Sequence, residues 1–251
     1  MQLDHIAVQL YTLRTLTAQD MLGTLRHVAA IGYRAVEFAG YGGVPTPAIR
    51  ATLDEQGIHA VAAHVSLDQL ATNFDGVLTD MQTLGCQYVV VPWSGEMYRG
   101  STVQVRELVN LLNSYGQRFA DAGLRLAYHN HQFEFAPLDG STMWELLAAE
   151  TDPALVDLEL DVFWAEVGGF DPIDLIGRYS ARLPLLHLKD RAHGPDNTDL
   201  PVGAGVLPWE RILAAADAAG VQWGIVEQDH PGDPLDDIRR SFHYLQTQCA
   251  A

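Results

Sequence analysis

Short apolar runs rich in β-branched residues alternate eight times with longer runs of helical period, which predicts an α/β chain folded as a single (β/α)8 barrel, the TIM barrel, over residues 1–251. Two further observations agree. A glycine closes one helical run after another just before the next strand (Gly32, Gly57, Gly85, Gly123, Gly220), the usual chemistry of a helix-to-strand junction. Nearly every strand-like run ends in a titratable or strongly polar residue, and fewer begin with one. The alternative, an open doubly wound sheet, lacks a Gly-x-Gly-x-x-Gly turn after the first strand.

Taken in order, HIAVQL (5–10) is the first strand. A helix over about 20–30 follows, with Asp20 as its N-cap, and Gly32 separates it from YRAVEF (33–38). Pro47 opens the second helix and Gly57 closes it ahead of HAVAAH (59–64). Residues 66–84 carry a short and a longer helical piece, then comes QYVVVP (87–92). A long helix over about 102–122 leads to LRLAYHN (124–130). Ser141 or Thr142 caps a helix over 141–149, and ALVDLELD (154–161) is the sixth strand. Pro172 opens the sixth helix, LPLLHLK (183–189) is the seventh strand, and Pro208 opens the seventh helix. VQWGIVE (221–227) and a helix over about 233–247 complete the pattern.

Composition narrows the function. Fifteen Lys and Arg against 32 Asp and Glu give a net charge of −17, and no basic run occurs, so phosphate neutralisation and nucleic-acid binding are not expected. Apolar residues make up 48 %, enough for a large core. Cys86 and Cys249 share no motif, which points to neither a thiolate metal site nor a disulfide framework and makes a reduced cytoplasmic setting the expectation. The opening MQLDHIAVQLYTLR lacks the features of a signal peptide, and no apolar run of about 18 residues predicts a membrane span.

In a barrel the active site lies at the C-terminal ends of the strands. Those ends carry Gln9 and Tyr11; Glu37; His64; Trp93 and Glu96; His129, Asn130 and His131, with Glu134 just after; Glu159 and Asp161; His187, Lys189 and Asp190; and Glu227, Gln228, Asp229 and His230. Glu134, Asp161, His187 and Glu227 come from four successive strands, so barrel closure points them at one volume. Three carboxylates and an imidazole suit one divalent metal ion, with Mn²⁺ the first choice among Mn²⁺, Mg²⁺, Co²⁺ and Zn²⁺. Without a cation the three carboxylates would repel one another. Bland readings stand beside these. Asp161 also reads as an N-cap, and Glu159, which shares its parity, as an orienter of a ligand. His129 alternates with Tyr128 and Asn130 and reads equally as an outward-pointing structural residue, whereas His131 is better placed for the site. The long Gly/Pro-rich loop AHGPDNTDLPVGAG is of a length that suits a lid.

Several of these pieces also carry a resemblance. VQLYTLR, YHNHQFEF, LELDVFW, HLKD, PVGAGVLPW and VEQD, in this order and across nearly the whole chain, resemble the sugar phosphate isomerase/epimerase branch of the xylose-isomerase-like barrel superfamily. The resemblance implies one divalent metal held by Glu134, Asp161, His187 and Glu227. Relatives include ketose 3-epimerases, hydroxypyruvate isomerase-like and inosose dehydratase-like enzymes, and enzymes acting on 3-keto-glycosides. The chain departs from the pattern in three places. Tyr128 stands where epimerases place a strand-borne glutamate, Trp164 stands where others have the histidine of Asp-x-x-His, and Gly203-Ala204-Gly205 replaces Gly-Glu-Gly.

The expected activity is therefore a metal-dependent isomerase or epimerase of a small, unphosphorylated sugar or keto-sugar. A proton next to a metal-bound carbonyl is abstracted. Glu134 and Glu227 serve as base and acid, Lys189 steadies oxyanion charge, and His131 and His64 shuttle protons or bind hydroxyls. Trp93 and Trp164 supply apolar faces for the sugar. Inosose-type dehydration and 3-keto-glycoside elimination or hydration are the enzymatic alternatives on the same residues. A non-catalytic sugar-binding barrel is the other class. Cleavage of abasic DNA is opposed by the charge and by Trp164. A homo-oligomer is compatible with all of these.

Overall fold

The computed structural model describes residues 1–249. Eight parallel strands close into a barrel in sequential order: β1 (Ile6–Gln9), β2 (Ala35–Phe38), β3 (His59–His64), β4 (Tyr88–Val91), β5 (Arg125–His129), β6 (Val156–Asp161), β7 (Leu185–Leu188) and β8 (Trp223–Val226). The helices around it are α1 (Arg14–Ile31), α2 (Thr46–Gln56), α3 (Leu67–Leu84), α4 (Thr102–Asp121), α5 (Met143–Glu150), α6 (Val162–Val167), α7 (Pro172–Arg178), α8 (Trp209–Ala219) and α9 (Pro234–Gln248). The expected barrel and its eight strands are present, with strand ends moved by one or two residues. No helix among the described residues is long and apolar enough to cross a membrane.

Local chemistry explains the helix boundaries. Asp20 breaks α1 with φ −152° and accepts from Gly23 N at 2.8 Å, so it caps the longer segment as its sequence position suggested, while the helix itself begins earlier, at Arg14. Asn73 divides α3 in the same way, and Ser66 with Gln69 forms a capping box at its start. Thr142 caps α5 by accepting from Glu145 N. The short α6, directly after β6, was not anticipated.

The barrel interior is layered. Ala7, Ala35, Ala62, Val90, Ala127, Leu185 and Ile225 form a buried apolar floor. Side chains on a strand repeat on one face every second residue. Two positions further along the strands, this same inward face carries Gln9, Glu37, His64, His129, His187 and Glu227, and Glu159 lies in register with His129. The outward faces of the strands pack on the helices in the main core, so both faces are buried.

Two devices fix the loops at the barrel mouth. Asn130 accepts from Asp161 N at 2.9 Å and donates to Asp161 O at 3.4 Å, which ties the end of β5 to the end of β6. After β7, Asp190 accepts from Gly203 N, Gly205 N and Trp209 Nε1 on one oxygen and from Arg191 N and Leu207 N on the other. This carboxylate thereby shapes the whole Gly203–Leu207 turn. A Cβ on Gly205 would run into Arg191 O and the Asp190 carboxylate, which accounts for glycine there. The loop read as a lid contains a two-stranded ladder, Asp190–Arg191 with Asp199–Leu200. Asp199 anchors it to the β8 loop by accepting from Asp229 N and His230 N.

Candidate active site

A cleft of about 420 Å³ opens at the C-terminal mouth of the barrel, bordered by Tyr11, His64, Trp93, His131, Glu227 and Asp229. Beneath it lies a dense polar layer. Asp161 sits in register with His187, and His187 with Ile225, two residues before Glu227. Ligand-capable atoms of Asp161, His187 and Glu227 all lie within 4.8 Å of one another.

Asp161 divides its two oxygens. Oδ1 accepts from Phe163 N and Trp164 N at 2.9 and 3.0 Å and caps α6, while Oδ2 is buried and faces the Lys189 ammonium. The capping and functional readings of this residue are thus compatible. Its carboxyl is pushed up to about 6, chiefly by burial, against the opposing pull of Lys189 and His187. Lys189 is fully buried, and its Nζ stands 3.1 Å from Asp161 Oδ2, 2.9 Å from Glu227 Oε2 and 2.8 Å from Asp229 Oδ2. Burial alone would lower the lysine, but these three carboxylates hold it well above its ordinary value. Burial would raise Glu227; Lys189 and His187 instead hold it well below the usual carboxylate range.

A second group of residues sits deeper. Glu159 Oε2 is 3.0 Å from His129 Nδ1, 3.1 Å from His64 Nε2 and 3.3 Å from His187 Nε2. Glu37 Oε2 is 2.8 Å from His187 Nε2 and accepts from Gln9 Nε2 at 2.9 Å. His187 therefore reaches both ways, because its Nδ1 is 3.1 Å from Glu227 Oε2. The outward reading of His129 is corrected: its ring points into the barrel and is 2 % exposed. Burial drives this imidazole down to about 3, so it is neutral.

Of the other expected site residues, Glu134 does not join Asp161, His187 and Glu227. Its Oε1 accepts from Tyr128 OH and its Oε2 from His131 N, each at 2.8 Å, which folds the 131–135 turn back onto β5. Burial pushes its carboxyl up to about 8. Each oxygen thus accepts one hydrogen bond within the turn, and Glu134 stands apart from the group in which Asp161, His187 and Glu227 converge. His131 does line the cleft; it is driven down to about 2, first by burial and then by His129 and Lys189, and its Nδ1 is buried without a partner. His64 and Trp93 also line the cleft, and Trp93 is 48 % exposed. Arg99 lies between the Trp93 and Phe133 rings, 4.0 and 3.4 Å from their centroids, and fixes the indole. Trp164 faces the ring of His131 at 5.7 Å and Lys189 Nζ at 5.4 Å. Glu37, Gln9 and Asp229 were noted only as polar strand ends; their place two residues beyond Ala35, Ala7 and Glu227 was the available signal.

The donor set fits a divalent cation: carboxylate oxygens and an imidazole converge, and Asp161 Oδ2, left out of the helix cap, is buried among them. Lys189 Nζ competes for the same oxygens and has a second seat at Asp229.

Residues 25–248 match the model of the xylose isomerase-like TIM barrel family. An inosose dehydratase of Geobacillus kaustophilus is 26 % identical over 191 residues, covering 67 % of this chain and 61 % of the relative. The chain therefore spans about three fifths of that curated relative. A sugar phosphate isomerase/epimerase from Parabacteroides distasonis superimposes with a TM-score of 0.84 at 23 % identity, covering 96 % of this chain and 97 % of that one. The protein IolI, solved with a bound zinc atom, superimposes with a TM-score of 0.78 at 16 % identity, covering 97 % of each chain. At these identities the two structures speak for the fold alone.

Proposed function

Because this chain belongs to the xylose isomerase-like TIM barrel family, we propose that its cleft binds a small keto-sugar or cyclic polyol ketone and moves a proton next to the carbonyl. The observation that carries this reading is the convergence of Asp161, His187 and Glu227, with the buried Lys189 ammonium beside them, at the base of an aromatic-rimmed cleft. Asp161, His187 and Glu227 would hold a divalent cation. Such a cation polarises a carbonyl and acidifies the neighbouring C–H.

The chain's own groups supply the rest. Glu227, which faces the cleft and is held ionised, takes the proton. Lys189, which also pairs with Asp229, donates to the oxygen on which negative charge develops. Neutral His131 and His64, whose rings border the cleft, bind substrate hydroxyls. Trp93, steadied by Arg99, and Trp164 cover the apolar face of the ring. Glu134 acts as a positioning residue through His131 N.

Return of the proton to carbon gives isomerisation or epimerisation, which is the first reading. Loss of a β-hydroxyl from the same enolate gives dehydration. The curated similarity to inosose dehydratase favours keeping that second reading. Proton NMR in D₂O with added Mn²⁺, over a panel of ketoses and inososes, separates them: exchange with an isomeric product marks the first, and an unsaturated product the second. Glu227→Gln should slow exchange by about 10²–10⁴-fold. Exchange at the wild-type rate in that variant would remove Glu227 as the base.

A further inference from the structure

We propose that His64, His129, Glu159 and His187, with Glu37 as an additional donor, form a separate site for a borderline divalent cation such as Zn²⁺ or Co²⁺, deeper in the barrel than Asp161 and Glu227.

Spacing is the first argument. Donor atoms about 2.0–2.2 Å from a tetrahedral zinc ion lie about 3.3–3.6 Å from one another. Here three imidazole nitrogens from three different strands stand 3.0, 3.1 and 3.3 Å from a single oxygen of Glu159, contacts that a cation would need to open by only a few tenths of an ångström. Atoms of His64, His129, Glu159 and His187 all fall within 4.8 Å of one another.

Satisfaction is the second. Glu159 Oε1 is buried without a hydrogen-bond partner on a residue that is 0 % exposed, and the equally buried Glu37 Oε1 has only His64 Nε2 beside it, at 3.4 Å. An unsatisfied buried carboxylate oxygen is costly, and a bound cation would remove that cost. Charge points the same way. Lys189 pairs with Asp161, Glu227 and Asp229, whereas the buried Glu37 and Glu159 face only imidazoles. Cations or imidazolium protons must supply the balance.

Donor type separates the two positions. The outer one offers two carboxylates and an imidazole, which suits Mn²⁺ or Mg²⁺, and Lys189 already stands among its oxygens. The inner one is dominated by imidazole, which suits Zn²⁺, Co²⁺ or Cu²⁺, and among the described residues no lysine or arginine pairs with it. His187 faces Glu227 with Nδ1 and Glu37 with Nε2, so one ring serves both sides.

The inner site shares His187 with the proposed reaction centre but does not rest on the reaction, and its test reads metal content. The whole protein is stripped with chelator, reloaded with Co²⁺ and analysed for bound metal. About two ions per chain are expected in the wild type and about one in Glu159→Gln. A single ion lost in Glu159→Gln and kept in Asp161→Asn supports the inner site and removes the outer one. A single ion kept in Glu159→Gln and lost in Asp161→Asn overturns the inner site and leaves the outer one standing. No retained ion overturns both. Copper titration of the wild type, followed by EPR up to saturation, covers the case of variants that fail to fold. A species coupled to three imidazole nitrogens supports the proposal, and its absence at every loading overturns it.

Discussion

Replacing Asp190 by asparagine tests how much of the barrel mouth depends on one carboxylate. Its two oxygens accept five hydrogen bonds, from Gly203 N, Gly205 N and Trp209 Nε1 and from Arg191 N and Leu207 N, and the residue is fully buried. An asparagine of the same shape must turn an NH₂ toward one of the two groups. Placing it on the Arg191/Leu207 side is the milder choice, and that still sets two backbone donors against a donor. At about 1–3 kcal/mol for each buried donor left unsatisfied, the cost is about 2–6 kcal/mol. For a chain of this size, about 2–4 °C per kcal/mol makes this a fall of roughly 4–24 °C in Tm. Calorimetry at neutral pH together with urea unfolding gives both quantities. A variant within about 0.5 kcal/mol of the wild type would refute the claim that Asp190 organises the Gly203–Leu207 turn.

Two other expectations concern charge. Glu134, held at about 8 in the folded chain against an ordinary 4.5, binds its proton more tightly folded than unfolded. Its contribution to stability is complete below about pH 4.5 and is lost as pH rises through about 8, by an amount of order 4 kcal/mol; urea unfolding at pH 5 and pH 9 should show this slope in the wild type and a flatter one in Glu134→Gln, and equal slopes would refute it. Lys189→Met leaves Asp161 and Glu227 without their ammonium and should destabilise the chelator-treated protein by about 3–5 kcal/mol. Added Mn²⁺ should then raise Tm more in the variant than in the wild type, and an equal rise would show that lysine and cation do not compete.

The barrel was legible because the glycine junctions and β-branched runs mark each unit locally, before any tertiary contact is known. Asp161, His187 and Glu227 were legible because closure alone brings the ends of adjacent strands together. His129 was harder. A parallel strand buried on both faces has no polar side to set its parity: Leu126 and Ala127 are both fully buried, one toward the helices and one toward the barrel axis. The same ambiguity hid Glu37 and Gln9. Glu134 was hard to place for a different reason. Its spacing from the strand is right for a ligand, but Tyr128 OH and His131 N claim both oxygens through a turn that composition does not announce.

The alanine-rich floor has a consequence for traffic. Ala7, Ala35, Ala62 and Ala127, packed with Val90, Leu185 and Ile225, close the barrel below its charged layer. The interior is therefore a blind well and not a conduit. The cleft above the charged layer opens past Trp93, His131 and Asp229. Rates of loading and escape are set at that rim, while affinities are set by the residues beneath it, so the two can be altered by substitutions at different depths of the same eight strands.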